Sequence, residues 1–146
     1  MAQAINTQVR ITHHFTVSPE AVFDAWLDQA TLPRWMCPAE GVSVTIADLD
    51  PKVGGRFRIV MRSGGQDIEH TGVYQEIIRP RRLVFTWISQ MTEGPSLVTV
   101  DLAQTETGTD LTLTHERLPN AEAADRHRMG WASILKCLDG ELKKGI

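Results

Sequence analysis

Five histidines, four tryptophans and two cysteines are the side chains of this sequence best suited to chemistry or recognition. An imidazole that faces the interior can orient a polar ligand group or act as a base. His13 shares the alternating phase of Val9, Ile11 and Phe15 and is expected to point inward, whereas His14 points out. His115 is in phase with Leu111 and Leu113, and His127 precedes Trp131 by one helical turn. Glu69 and His70 are neighbours in a strand, so they face opposite sides and cannot work as an acid–base pair. A catalytic pair would have to come from different strands, and none is identified, so whether the protein is an enzyme stays open. A metal centre needs three or four convergent ligands, and the chain has no compact motif such as H-E-x-x-H. Cys37 and Cys137 lie far apart in sequence without metal-site spacing or an adjacent base, and read as free thiols of a reducing compartment. Gly54-Gly55 and Gly64-Gly65 neither precede a helix nor end in G-K-S/T, so they are hairpin turns rather than phosphate loops. No G-x-S-x-G elbow occurs.

The aromatic supply is the unusual feature: four tryptophans against one tyrosine. Tryptophan is seldom fully buried, because it is large and carries an indole donor. Phe57, Ile59, Phe85 and Trp87 from strands, with Trp131 from the last helix, are candidates for the wall of a ligand pocket. Trp26 and Trp35 are candidates for its mouth, and His115 and His127 for its polar groups. The alternative for each is an ordinary core position.

These groups must be positioned by a regular succession of elements. Met1 to Thr7 reads as a frayed start. Gln8 to Val17 alternates as a half-buried strand. Ser18-Pro19-Glu20 begins a short helix, with Ser18 capping and Pro19 in the first helical position; Gln29 to Trp35 adds a second short one. From Val42 the period changes to two. Strands are expected over Val42 to Leu49, around Phe57, Ile59 and Met61, over Ile68 to Ile78, around Leu83, Phe85 and Trp87, and over Ser96 to Gln104 and Thr109 to Glu116. Short turns join them, as in an antiparallel meander with one covered face. The cover is the long segment Pro119 to Lys143. Ala124, Arg128, Trp131, Leu135, Leu138 and Leu142 step by three and four, Asn120 is the expected cap, and Gly145 marks the exit. One helix cannot cover seven flat strands, so the sheet must curve and grip it. The fold class is thus α+β: a curved antiparallel sheet of about seven strands around a long C-terminal helix, with two short helices after the first strand.

Composition bounds the partners. A formal net charge of -3 gives no general case for nucleic acid or an anionic membrane. Arg56, Arg58, Arg62, Arg79, Arg81 and Arg82 read as charges of a solvated outer sheet face and its turns. The alternating start is no signal peptide, and no run is apolar enough to insert in a membrane, so a cytoplasmic protein is expected.

Phe15 to Trp26, Leu32-Pro33-Arg34-Trp35, Gly54-Gly55-Arg56-Phe57, Gly72-Val73-Tyr74, Leu83 to Trp87, Leu111 to Glu116, Gly130-Trp131 and Cys137-Leu138-Asp139 occur in an order that resembles a known family. It is the domain family named for the activator of the heat-shock-protein-90 ATPase, within the START-like (SRPBCC, birch-pollen-allergen-like) superfamily. The resemblance covers nearly the whole chain and implies one START-like domain over residues 1–146. It implies a helix-grip fold with an internal pocket for apolar or amphipathic molecules, and it supplies no catalytic residue set and no cofactor. The resulting expectation is a protein that binds a small apolar or amphipathic molecule. Two other readings stay open: a cavity enzyme of cyclase, dehydratase or hydrolase type, and a chaperone-associated or other protein-interaction module. A homodimer is also open, cyclic dimers being the commonest oligomers.

Overall fold

The computed structural model describes residues 7–144. The expected frayed start therefore lies outside the described residues except for Thr7, whose carbonyl accepts the Leu118 N–H at 3.3 Å. Gly145, the expected exit from the last helix, also lies outside them. In chain order the elements are β1 (Val9–Phe15), α1 (Pro19–Trp26), α2 (Leu32–Trp35), β2 (Val42–Leu49), β3 (Arg56–Ser63), β4 (Gln66–Ile78), β5 (Arg82–Trp87), β6 (Ser96–Thr105), β7 (Gly108–Glu116) and α3 (Ala121–Lys144). The seven strands form one antiparallel sheet in the order β1-β7-β6-β5-β4-β3-β2. The meander from β2 to β7 thus closes on β1, and the sheet curls around α3 as the helix-grip reading requires.

The local causes are those of the sequence. Ser18 Oγ accepts the Ala21 N–H at 3.2 Å and Pro19 opens α1. Asn120 Oδ1 accepts the Ala123 N–H at 2.9 Å, which starts α3 just after Pro119. Trp131, Ile134, Leu135 and Leu138 are buried along α3. Arg128 sits at the edge of that stripe, stays exposed and pairs with Asp125 at 2.8 Å. Gly64 and Gly65 both have positive φ, 57° and 83°, as a two-residue hairpin between right-twisted strands demands. The β6–β7 turn is tighter than expected, since the strands run on to Thr105 and Gly108 and leave only Glu106-Thr107 between them.

β4 is the strand whose phase the sequence obscures. Ile68, His70, Gly72 and Tyr74 face inward, but the register shifts between Tyr74 and Glu76, after which Ile77 is the half-buried residue packed on the core. A bulge inserts one residue and flips every later side chain to the other face. It also bends the strand, so its first part pairs with β3 and its last part with β5. At Gly72 the β5 backbone and the Phe57 ring come so close that an added Cβ would lie 2.0 Å from the Thr86 carbonyl oxygen and 2.5 Å from the ring. Only glycine fits there.

The outer face carries paired charges. Arg58 pairs with Glu69, Arg62 with Asp67 at 3.3 Å, Arg82 with Asp101 at 2.9 Å, and Arg79 grips both oxygens of Asp24 at 2.8 and 2.9 Å. The Arg79 bonds hold the Asp24 carboxyl below its ordinary range. Exposed pairs of this kind stabilise little, but they cancel most of the basic character that the arginines would give this face.

Candidate functional site

A half-open cavity of about 210 Å³ lies between the sheet and α3. Its floor is buried: Met61 from β3, His70 from β4, Trp87 from β5, and Trp131 and Ile134 from α3. Its rim is half-exposed and includes Pro38, Val42, Ile68, Met91 and His127, with Gly130 bringing the helix backbone to the edge. A Cβ on Gly130 would meet Pro38 at 3.3 Å, so any larger residue there would crowd the opening. Met91 is held by a stapled loop in which Thr92 Oγ accepts the Ser89 N–H at 3.0 Å and Ser89 Oγ accepts the Met91 N–H at 3.1 Å.

The aromatic floor is one continuous cluster. Trp87 packs against Trp131 with centroids 5.2 Å apart, and His70 also packs against Trp87, at 4.8 Å. Behind the floor runs a chain of buried hydrogen bonds. The Trp131 indole N–H donates to His115 Nδ1 at 3.0 Å, which fixes the proton of that imidazole on Nε2. Nε2 then donates to Ser96 Oγ at 2.7 Å, and Ser96 donates onward to the Trp87 carbonyl. The chain ties α3 to β7, β6 and β5. With both nitrogens engaged and the ring fully buried, His115 is pushed down to about 3, first by desolvation and then by the nearby His127.

The other two interior histidines are differently placed. His127 donates its Nδ1–H to the Ala123 carbonyl one turn earlier at 2.7 Å, which leaves Nε2 as a bare acceptor. Desolvation lowers its pKa, with Arg126 adding to the effect and the Ala123 carbonyl opposing it. His70 is 5% exposed, and its Nδ1 has no hydrogen-bond partner among the described residues. Burial pushes it down to about 4; the Ile59 and Ile68 backbones oppose that fall and a charge on His127 would deepen it. Both imidazoles are therefore neutral near pH 7. Among the described residues Arg126 is the one formally charged side chain of the lining, and Glu122 already engages it at 2.6 Å on the exposed side.

Of the residues singled out from sequence, Trp87, His127 and Trp131 come together at this cavity. Trp26, Phe57, Ile59 and Phe85 surround a separate void of about 20 Å³, barely the space of one water. Trp35 is fully buried, edge-on to Trp26 at 5.0 Å, and borders an open cleft formed by α1 and the end of α3. His115 stands behind Trp131 as its hydrogen-bond partner. His70, Met61, Ile68, Met91 and Ile134 were not among the expected site residues. The pairing of His70 with Ile59 across β3 and β4 is what sets its inward phase, and the bulge hid it. His13 is partly covered and meets Asp139 of α3 at 3.0 Å, while His14 meets Asp110 on the exposed side at 2.7 Å.

The two cysteines, distant in sequence, meet beside the Pro38 rim. Cys137 Sγ lies 4.0 Å from the Cys37 carbonyl, which also accepts the Ser133 hydroxyl at 2.9 Å. Burial, reinforced by the Cys137 thiol, pushes the Cys37 thiol up to about 12, so it is protonated and a poor nucleophile. Among the described residues no group of three His, Cys, Asp or Glu side chains is disposed to hold a metal ion. No helix among them is long and apolar enough to cross a membrane.

The fold matches known proteins. A protein from Chromobacterium violaceum is 27% identical over 93% of this chain and 96% of its own, with a TM-score of 0.86. One from Rhodobacter sphaeroides is 26% identical over 95% of this chain and 93% of its own, with a TM-score of 0.84. The AHSA1 protein from Silicibacter pomeroyi is 31% identical over 95% of this chain and 99% of its own, with a TM-score of 0.81. No curated protein matches the chain. A family model described as Activator of Hsp90 ATPase homolog 1-like protein matches residues 16–143, from the end of β1 to the last turn of α3. The chain belongs to the Activator of Hsp90 ATPase homolog 1-like family.

Proposed function

We propose that this protein binds a small apolar or amphipathic molecule in the cavity between the sheet and α3. The observation that carries the reading is a half-open space of about 210 Å³ whose floor is Met61, Trp87, Trp131 and Ile134, with one buried histidine left without a partner for Nδ1. A dry cavity of roughly 150 Å³ already accommodates benzene, so this one has room for a ring with substituents. Trp87, His127 and Trp131 are the expected binding residues that border it, joined by His70 and Met61. General acid–base chemistry would need a pair of suitably placed titrating groups; among the described residues the lining holds no carboxylate, and burial disfavours the charged form of both its histidines, which favours carriage over catalysis.

Native mass spectrometry of gently purified protein, followed by denaturing extraction, tests this directly. The expected result is a bound mass released on unfolding, or saturable uptake of an added apolar probe with a change in tryptophan emission. Gly130→Leu, which crowds the opening while removing a helix-weakening glycine, should fold and lose that uptake. Undiminished uptake by a folded Gly130→Leu protein would place binding outside the cavity and contradict the proposal.

A further inference from the structure

We infer that the ligand of this cavity is a neutral, ring-bearing molecule with a hydroxyl donor, a phenol or aryl alcohol, whose O–H is received by His127 Nε2 with His70 beside it. The inference rests on the binding reading above and adds the chemical class. It begins with His127. Its Nδ1–H is committed to the Ala123 carbonyl at 2.7 Å, so what it offers the cavity is a lone pair and not a proton. A ligand that meets it must donate.

His70 lines the same space, and the two imidazoles are close enough for a charge on His127 to disfavour one on His70. Nδ1 of His70 has no hydrogen-bond partner among the described residues, and it presents an N–H or a lone pair according to the tautomer. A hydroxyl is both donor and acceptor, and so suits a fixed acceptor beside an adaptable neighbour. Leaving a buried polar atom unpaired is unfavourable, so Nδ1 of His70 marks a place where polar matter is wanted inside an otherwise apolar wall.

The charge of the ligand follows from what the lining lacks. Among the described residues no lysine, aspartate or glutamate borders the cavity, and the one arginine there is exposed and engaged by Glu122. A carboxylate carried to the floor would lose its hydration without gaining a counter-charge. The ring follows from the walls: Trp87 and Trp131 offer aromatic surfaces, and the Met61 and Met91 thioethers suit contact with a ring.

Isothermal titration at neutral pH with para-ethylphenol, its hydrocarbon isostere para-ethyltoluene, and para-ethylbenzoate tests the inference. The phenol should bind roughly tenfold tighter than the hydrocarbon, the scale of one net hydrogen bond to an otherwise unpaired acceptor. The benzoate should bind weakest. His127→Phe should erase the difference between phenol and hydrocarbon while keeping the hydrocarbon's affinity; His127→Gln, which restores an acceptor, should recover part of it. If His127→Phe does not melt cooperatively, His70→Leu carries the same comparison and should narrow the difference. Equal binding of phenol and hydrocarbon to the parent protein overturns the hydroxyl inference and leaves the cavity reading standing. Tightest binding of the benzoate overturns the neutral class. Saturable binding of none of the three overturns both readings.

Discussion

His115 is the residue on which the interior depends most. It accepts from Trp131, donates to Ser96, and is fully buried, so its replacement strands the Trp131 indole N–H and takes a donor from Ser96, which keeps its bond to the Trp87 carbonyl. His115→Leu should lower stability by about 2–4 kcal/mol, the cost of stranding buried donors and acceptors, as read from urea denaturation midpoints. The same residue predicts a pH dependence. His115 is pushed down to about 3 and His70 to about 4 from an ordinary 6.5, so as pH falls below 6.5 the unfolded chain takes up protons that the folded chain refuses. The stability they contribute is therefore complete above 6.5 and is lost as pH falls toward the folded values. Each contributes a slope of up to about 1.4 kcal/mol per pH unit. Denaturation midpoints should decline between neutrality and about pH 4.5, and His115→Leu should flatten that decline by one proton. A flat profile in the parent protein would contradict it. The inward phase of His115 was legible in its alternation with Leu111 and Leu113. Its partners were not, because only the assembled fold brings the end of the neighbouring strand β6, at Ser96, and the covering helix, at Trp131, to its two ring nitrogens.

At the scale of elements, the site is made by one bent strand and one helix. β4 leaves β3 for β5 through the bulge at Tyr74, and the cavity lies between its earlier half, at Ile68 and His70, and α3. Gly72→Ala should destabilise strongly, by more than about 2 kcal/mol, since overpacking here must displace the β5 backbone as well as the Phe57 ring. A melting temperature within a degree or two of the parent would show that the close approach is softer than the geometry requires. The strands, both short helices and the long helix were readable from period, caps and glycine turns, which are local signals. The bulge was not, because one inserted residue leaves each half of β4 with a sound alternation and only their mutual phase wrong. That single ambiguity removed His70 from the expected site and, with it, the polar floor of the cavity. Trp26, Phe57 and Phe85 illustrate the converse: aromatic type and inward phase place a residue in the interior, but only packing decides whether it meets another side chain or an empty space.

For the molecule as a whole, the curled sheet, the covering helix and the two short helices enclose one continuous core, and the half-open cavity bordered by Met61, His70, Trp87, His127 and Trp131 opens beside it. The family match accounts for the architecture from residue 16 to residue 143, while the proposed ligand rests on this chain's own side chains. Among the described residues the lining carries one formal charge, Arg126, and Glu122 engages it. The most direct measurement is crystallographic: crystals soaked with para-bromophenol, with the bromine located by its anomalous signal. The account predicts bromine inside the cavity against the Met61, Trp87 and Trp131 walls, and the phenol oxygen within about 3 Å of His127 Nε2. Bromine found only on the surface, or a cavity closed by movement of α3 with no ligand in it, would contradict the account.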